Sequence, residues 1–327
     1  MAVRTWDYGA ATTVWTTAAN WSADTAPVAA DEVIFDSTSV VAPLTGMAIG
    51  DTGGVDFDLL YFKSTYTGGI GATQVPLHTS AQKIVIEGSG TYYIEIAETG
   101  TGADQVVPLV IINNRDAIVY LTGEECDGSW VCEITNLYVL AGTVYIGNDG
   151  TAAKTIAVQN LFIDPKNGSQ SYATVTIDDG CERIKATTYA MNIYLQNGTV
   201  ISDSAIGNLE MYGGTFTYGT EGGGGAVTNQ LITSLRLRGG TFNWVPEIVD
   251  SVAPVITAAY LLGGTFDASS TVNDNVAKTI TTLYLFSGAT MNVKNNMGNI
   301  TITNLYSHGG VSTFDTGAKI AVTYDQP

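Results

Sequence analysis

Apolar and polar positions alternate in short runs along most of the chain, and one arrangement of them recurs. An aliphatic residue is followed by two small polar residues, Leu, any residue and a second aliphatic residue, and then, after two further residues, by Gly-Thr and another apolar residue. The clear copies begin at Ile134, Ile206, Ile232, Ile256, Ile280 and Ile302, and weaker ones at Val158 and Ala190. Alternation with period two predicts half-buried strands, and the glycine predicts a turn between them.

The spacing of the copies predicts the architecture. The Leu position falls at residues 137, 161, 193, 209, 235, 259, 283 and 305, which is 168 residues over seven steps, a mean of 24. Similar short strands beginning at Leu59, Ile84 and Leu109 extend the series to about eleven rungs. Short strands at this period, without helical periodicity, are typical of a β-solenoid. We therefore predict an all-β chain, a right-handed parallel β-helix, with the register between residues 164 and 200 left open.

A polar residue precedes the Leu position in most copies and predicts how the chain bends. In order the residues are Asn136, Asn160, Asn192, Asn208, Ser234, Ala258, Thr282 and Asn304. Asparagine tolerates the left-handed backbone conformation better than other residues that carry a Cβ. We therefore expect a corner at these positions, with asparagine side chains hydrogen-bonded from rung to rung.

The residue after the Leu position is predicted to point outward, and it is aromatic in six of the eight copies. In order the residues are Tyr138, Phe162, Tyr194, Glu210, Arg236, Tyr260, Tyr284 and Tyr306. This predicts two aromatic stacks with a Glu210–Arg236 ion pair between them. The stacks could be ordinary solenoid packing, a subunit interface or a sugar-binding stripe. Tyr138, Tyr260, Tyr284 and Tyr306 are accordingly candidate partner-binding residues.

The N-terminal segment differs from the repeats and is set apart as residues 1–50, with the β-helix over 51–327. Trp6, Trp15 and Trp21 are three of the five tryptophans of the chain. A solenoid needs a cap over its terminal rung, and buried tryptophan can supply one. The alternative is a docking arm in which the same three tryptophans bind a partner. We favour the cap.

Composition and charge exclude several kinds of partner. The formal net charge is −18, which disfavours nucleic acid and anionic membrane surfaces. Three cysteines are too few for a disulfide scaffold, and whether Cys126 and Cys132 are bridged stays open. The first residues contain no apolar signal-peptide core, so we expect synthesis without export.

Residues that could carry chemistry are scattered along the chain. The acidic positions are Asp56 with Asp58, Glu124, Glu125 and Asp127, and Asp178 with Asp179, and none has the spacing of a known calcium loop. His78 and His308 lie far apart in sequence, and Gly222–Gly225 indicates a flexible loop tip, not a phosphate loop. We therefore predict no catalytic, metal or cofactor site, and a chain that is not an enzyme.

The N-terminal pattern together with the Gly-Thr rungs resembles two groups of proteins. Trp15, Asn20-Trp21, Pro27 and residues 31–35 carry the resemblance, which covers most of the chain at the level of pattern. One group is the β-helical virion proteins of tailed bacteriophages, some of which are similar to capsid decoration proteins. The other, more weakly similar, is the passenger domains of autotransporter-type adhesins. The missing signal peptide favours the phage group.

The phage resemblance implies a structural role. It implies a decoration or cement protein that binds the major capsid protein of the same phage on the head exterior, as a homotrimer. The protein would be assembled in the host cytoplasm and located on the virion. A tail-spike or receptor-binding protein that recognises surface polysaccharide, or a secreted β-helical adhesin, is the alternative.

Overall fold

The structure is a computed structural model in which most of the chain can be described. The described residues are 1–39, 41–43, 57–73, 75–96, 105–123, 132–147, 156–164, 173–177, 191–202, 204–219, 231–245, 254–269, 277–293, 300–314 and 325–326. They form almost only β-strands, with 3-10 helices at Ala18–Asn20 and Ser22–Asp24. The strands pair in parallel as a β-solenoid, which confirms the predicted all-β class and parallel architecture.

The strands are numbered in chain order. They are β1 (Val3–Thr5), β2 (Glu32–Phe35), β3 (Leu59–Phe62), β4 (Leu77–Thr79), β5 (Lys83–Ile86), β6 (Gly90–Ile96), β7 (Gln105–Gly123), β8 (Cys132–Ile146), β9 (Ala157–Ile163), β10 (Ala173–Ile177), β11 (Met191–Leu195) and β12 (Thr199–Ser202). They continue as β13 (Ile206–Met211), β14 (Thr215–Tyr218), β15 (Leu231–Leu237), β16 (Thr241–Trp244), β17 (Val255–Leu261), β18 (Gly264–Asp267), β19 (Lys278–Phe286), β20 (Ala289–Val293), β21 (Ile300–His308), β22 (Val311–Phe314) and β23 (Asp325–Gln326).

The chain divides into two compact units, which are described separately. The first consists of Met1–Leu161, Pro165–Val175 and Gly180–Thr188, and the second of Phe162–Asp164, Thr176–Asp179 and Tyr189–Pro327. In the second unit, strands that carry the Leu position pair with one another, as in β13 with β15 and β15 with β17. The strands that follow the glycine turn form their own series, from β12 to β14 to β16. The repeat therefore produces two series of parallel strands.

The solenoid has about nine turns, slightly fewer than the eleven rungs predicted. The difference arises because turns vary in length and regularity, so not every recurring Leu position marks a separate full turn. Ile193 pairs with Leu209, so the predicted register at Ile193 is confirmed. The step between these two residues is short because only residues 203–205 separate β12 from β13, whereas residues 219–230 separate β14 from β15.

Strand β8 runs without interruption through Asn136, where a corner was predicted. Val107 pairs with Ile134 and Leu109 with Asn136, so Thr135 falls between two paired positions of β8. Among the described residues, none of the asparagines before the Leu position has a positive φ. The predicted left-handed corner is therefore wrong, because the chain stays in an extended strand through this position and its pairing register does not shift there.

The asparagine ladder itself is present. Asn160 donates a hydrogen bond from its side-chain amide to Oδ1 of Asn136 at 3.2 Å, and Asn208 to Oδ1 of Asn192 at 2.7 Å. The amide group of one turn thus satisfies the acceptor of the preceding turn. The predicted rung-to-rung hydrogen bonding is therefore confirmed for these two pairs, in which each asparagine lies within a strand.

The interior is filled by columns of identical or similar side chains from successive turns. Phe216, Phe242 and Phe266 are fully buried, and their ring centroids are 5.8 and 5.2 Å apart. Parallel register places each ring directly on its neighbour. Burying each such side chain contributes roughly 1.5–3 kcal/mol. The aliphatic positions of the repeat pack the same interior from the other series of strands.

The three N-terminal tryptophans are part of the core of the first unit. Trp6, Trp15 and Trp21 are 0%, 3% and 1% exposed. The Trp21 ring meets those of Trp15 and Trp6 edge to face, at centroid distances of 4.7 and 5.0 Å. Trp15 and Trp21 also contact Phe35, which lies in β2. This packing fits a cap. A partner-binding role for these three side chains does not fit, because their rings have no free face.

Two buried polar side chains hold the N-terminal segment in its conformation. The Asn20 amide donates to the carbonyl oxygens of Thr12 and Val14, and its Oδ1 accepts from the N–H of Ala10. Asp31 accepts hydrogen bonds from the N–H of Ala2 at 2.8 Å and that of Val28 at 3.2 Å. Backbone groups of an irregular segment that would otherwise be buried unpaired are satisfied in this way.

Asp31 makes the first unit sensitive to acid. Burial by itself would raise the pKa of Asp31, but hydrogen bonds from Ala2, Val28 and Arg4 outweigh it and lower the pKa. A carboxyl whose native pKa lies below its unfolded value, about 3.9, stabilises the fold above that value. This stability is lost as the pH falls through the native pKa. We expect Asp31→Asn to flatten the loss of unfolding free energy below about pH 4, measured by urea unfolding across pH.

The matched control for this prediction is Asp24→Asn. Asp24 is an exposed acid of the same segment, and its replacement should leave the acid dependence of the wild type unchanged. Equal acid dependence in Asp31→Asn and wild type would contradict the prediction.

Candidate interaction surface

Three of the predicted outward tyrosines form a continuous stack in the second unit. Tyr260, Tyr284 and Tyr306 follow one another in register on β17, β19 and β21. Their centroids are 4.8 and 4.7 Å apart, and the rings are within 2° and 11° of parallel. All three are half-buried. The predicted stack is therefore present at these positions.

A second outward column lies two residues further along the same strands. The Phe286 ring stacks on the His308 imidazole at 5.0 Å, in the register that pairs Tyr284 with Tyr306. We call these five residues, Tyr260, Tyr284, Tyr306, Phe286 and His308, the aromatic face. Period-two alternation beyond the outward tyrosines is the sequence signal that could have found Phe286 and His308.

The geometry of the aromatic face bears on what it can bind. A sugar ring stacks on the flat face of an aromatic side chain. In this stack both flat faces of Tyr284 are covered by its neighbours less than 5 Å away. At the centre of the stack, the parts of the tyrosines that can contact a partner are the ring edges and the hydroxyl groups. Such a row suits contact with another protein surface, where tyrosine is enriched because its ring is apolar and its hydroxyl is polar.

The charged residues next to this stack are arranged differently from the prediction. Glu210 and Arg236 are paired in register, but the ion pair of Glu210 is with Arg238, at 2.9 Å. The guanidinium of Arg236 lies 5.7 Å from the ring centroid of Tyr260. The predicted Glu210–Arg236 pair is therefore wrong, because stacking on the next turn offers Arg236 a favourable cation–π contact.

Tyr138 lies in the first unit and is not part of the aromatic face. It pairs in register with Ile111 of the preceding strand. Ile111 in turn pairs with Val85, and Val85 with Tyr61. All four side chains are half-buried. The two middle residues of this column are aliphatic, so Tyr138 adjoins an aliphatic side chain on this side and not another tyrosine. The other predicted stack includes Phe162 and Tyr194 in the second unit, 4.9 Å apart.

The first unit contains a tyrosine ladder that the repeat does not predict. Tyr93, Tyr120 and Tyr145 come from β6, β7 and β8 and are paired in register. Their centroids are 4.6 and 4.8 Å apart, with interplanar angles of 3° and 11°. The repeat was anchored on the Leu position, whereas these tyrosines belong to the other series of strands. The sequence signal that could have found this ladder is a tyrosine at the same position in each of three segments of alternating apolar and polar residues.

The remaining candidate residues do not converge on a reactive site in the part of the chain that can be described. His78 Nε2 lies 3.6 Å from the Glu95 carboxylate, and His308 belongs to the aromatic face. Within the described ranges no group of three or more His, Cys, Asp or Glu could hold a metal ion. Asp58 and the buried Cys132 are described. Asp56, Glu124, Glu125, Cys126, Asp127, Asp178, Asp179, Cys181 and Gly222–Gly225 lie outside the described residues.

Comparisons with protein-family models, curated proteins and solved structures found no match. Similarity to a characterised protein therefore assigns no role to any residue. Among the described residues, no helix is long and apolar enough to span a membrane.

Proposed function

We propose that the chain is a non-enzymatic structural protein of a phage virion, a decoration or cement protein that docks on the capsid exterior. Its partner would be the major capsid protein of the same phage, and the aromatic face would be the contact surface. The proposal combines the sequence resemblance to phage virion proteins with one structural observation. That observation is the row of stacked tyrosine edges on the outward side of the solenoid.

The charge of the chain supports this choice of surface. Because the formal net charge is −18, most of the exterior repels an acidic partner and is strongly hydrated. The aromatic face carries no carboxylate, and the exposed Arg236 lies next to it. A contact surface free of acids can be dehydrated at lower cost. Stacking between turns also fixes each tyrosine before binding, which lowers the entropy lost on docking.

The composition of purified virions tests the proposal. The protein should be present in virions of the phage that encodes it, in a fixed ratio to the major capsid protein, as measured by quantitative mass spectrometry. Its absence from virions would reject the proposed role. Binding to a glycan array, with no binding to capsids, would favour the alternative of a polysaccharide-recognising tail-spike or receptor-binding protein.

The surface assignment has its own test. Tyr284→Asp places a charge at the centre of the aromatic face, and we expect it to weaken capsid binding at least about ten-fold in a co-sedimentation assay. The matched control is Tyr120→Asp, the same change at the centre of the tyrosine ladder of the first unit. It should bind as the wild type does, with folding of both variants checked by circular dichroism. Equal loss in folded Tyr120→Asp would show that the aromatic face is not the contact surface.

A further inference from the structure

Both units hold tyrosines in a geometry suited to radical chemistry. In the first unit, the rings of Tyr93 and Tyr120 are 4.6 Å apart and within 3° of parallel. In the second, Tyr260 and Tyr284 are 4.8 Å apart and within 2° of parallel. Each ladder continues to a third tyrosine, Tyr145 or Tyr306, at nearly the same distance. All six residues are half-buried, so each keeps some exposure to solvent.

We propose that the two ladders are oxidative modification sites, at which a peroxidase-type oxidant joins tyrosines of consecutive turns into dityrosine. Two neighbouring phenols each lose one electron and the hydroxyl proton. The two phenoxyl radicals form a carbon–carbon bond between ring positions next to the hydroxyls. The hydrogens at these positions shift to the oxygens, and both rings become aromatic again.

The oxidant accounts for the electrons and protons released. One hydrogen peroxide molecule, acting through a haem peroxidase, accepts the two electrons and two protons and becomes two water molecules. One peroxide is therefore consumed for each cross-link. The proposal does not rest on the role in a virion.

The fold explains why these tyrosines should couple with each other. Parallel strands in register hold the two phenols side by side, so the encounter of two radicals becomes intramolecular. Tyr120 and Tyr284 have a tyrosine on either side, which gives each of them two possible partners. Burial, with Tyr93 and Tyr145 beside it, raises the pKa of Tyr120, so it remains a neutral phenol at neutral pH.

Other tyrosines provide comparisons within the same chain. Tyr194 stacks on Phe162, which has no phenolic hydroxyl. Tyr66 and Tyr92 are both buried, with centroids 6.5 Å apart and rings tilted by 57°. Neither arrangement combines access to an oxidant with a parallel tyrosine neighbour. We therefore expect coupling at the two ladders and not at these positions.

A cross-link would tie two consecutive turns together. A covalent bond between distant residues restricts the unfolded chain, as a disulfide does, and thereby stabilises the fold. The oxidised protein should therefore melt at a higher temperature than the untreated protein. This provides a physical readout that is independent of the chemical identification.

The test uses the full chain at low micromolar concentration with a haem peroxidase and limiting hydrogen peroxide. After proteolysis, mass spectrometry should find linked peptides that have lost two hydrogens. The pairs expected are Tyr93–Tyr120, Tyr120–Tyr145, Tyr260–Tyr284 and Tyr284–Tyr306. Together they should exceed other intramolecular pairs, including Tyr66–Tyr92, at least about ten-fold. The same treatment in urea should abolish this preference. A folded chain with cross-links spread evenly over its tyrosines would overturn the proposal.

Paired variants separate ladder coupling from general tyrosine oxidation. Tyr120→Phe with Tyr284→Phe removes two of the 17 tyrosines and interrupts both ladders, and it should lose most intramolecular dityrosine fluorescence and the gain in melting temperature. The control, Tyr61→Phe with Tyr194→Phe, removes as many tyrosines outside the ladders and should keep both. Equal dityrosine yield from the two double variants would overturn the proposal.

Discussion

Trp21→Ala is expected to destabilise the first unit by about 3–5 kcal/mol, the usual cost of removing a large buried aromatic side chain. The Trp21 ring is 1% exposed and contacts Trp6, Trp15 and Phe35. Its Nε1–H also donates to the carbonyl oxygen of Trp15 at 2.7 Å, and that acceptor would be left unpaired. Chemical denaturation followed by circular dichroism measures the loss.

This result would distinguish the cap from a docking arm. A docking side chain can be truncated with little effect on stability, whereas a cap side chain cannot. Val3→Ala, at a 53% exposed position of the same segment, is the control and should cost less than about 0.5 kcal/mol. A similarly small cost for Trp21→Ala would contradict the cap.

Gly240→Ala is expected to destabilise the second unit by about 3–4 kcal/mol, in the range of mutations that strain the backbone. Gly240 has a φ of +80°, which an alanine adopts at a cost of about 1–2 kcal/mol. A Cβ at this position would also overlap the carbonyl oxygen of Gly214 and lie 2.7 Å from the carbonyl carbon of Gly213. Both are backbone atoms of the previous turn, so they cannot move aside as a side chain would.

Gly288→Ala provides a close control because Gly288 occupies the equivalent turn. Its φ is +96°, but the nearest atom to a Cβ is the carbonyl oxygen of Leu262 at 4.0 Å. The variant should therefore incur only the conformational cost, about 1–2 kcal/mol. Denaturation of both variants under the same conditions gives the comparison. Equal losses would show that contact between turns adds nothing at Gly240.

Much of the architecture could be predicted because a solenoid repeats its physical constraints. Leu209, Leu235 and Leu283 recur where the interior requires an aliphatic side chain, so the spacing of turns was visible in the sequence. The extended conformation at Asn136 was not predicted correctly, because asparagine by itself favours turns and left-handed conformations. Tertiary pairing, and not local preference, determined that conformation.

The interaction surface was predicted in part for the same reason. Tyr260, Tyr284 and Tyr306 share one offset from the repeat Leu, and the structure stacks them. The partner of Glu210 could not be chosen from register alone. Arg236 and Arg238 lie on the same outward side, and the choice depends on side-chain reach and on the competing contact with Tyr260. Resemblance suggested a role for the chain, and no residue pattern specifies the capsid surface that it would contact.

The parallel register also determines how the chain can reach its fold. β15 pairs with β13 before it and β17 after it, so paired strands are separated by roughly one repeat in sequence. Each completed turn provides the edge on which the next strand adds, as expected for folding that propagates along an array. The segment that buries Trp6, Trp15 and Trp21 leaves the ribosome before the turns that follow it in the sequence. Synthesis therefore delivers the turns in the order in which they can be added.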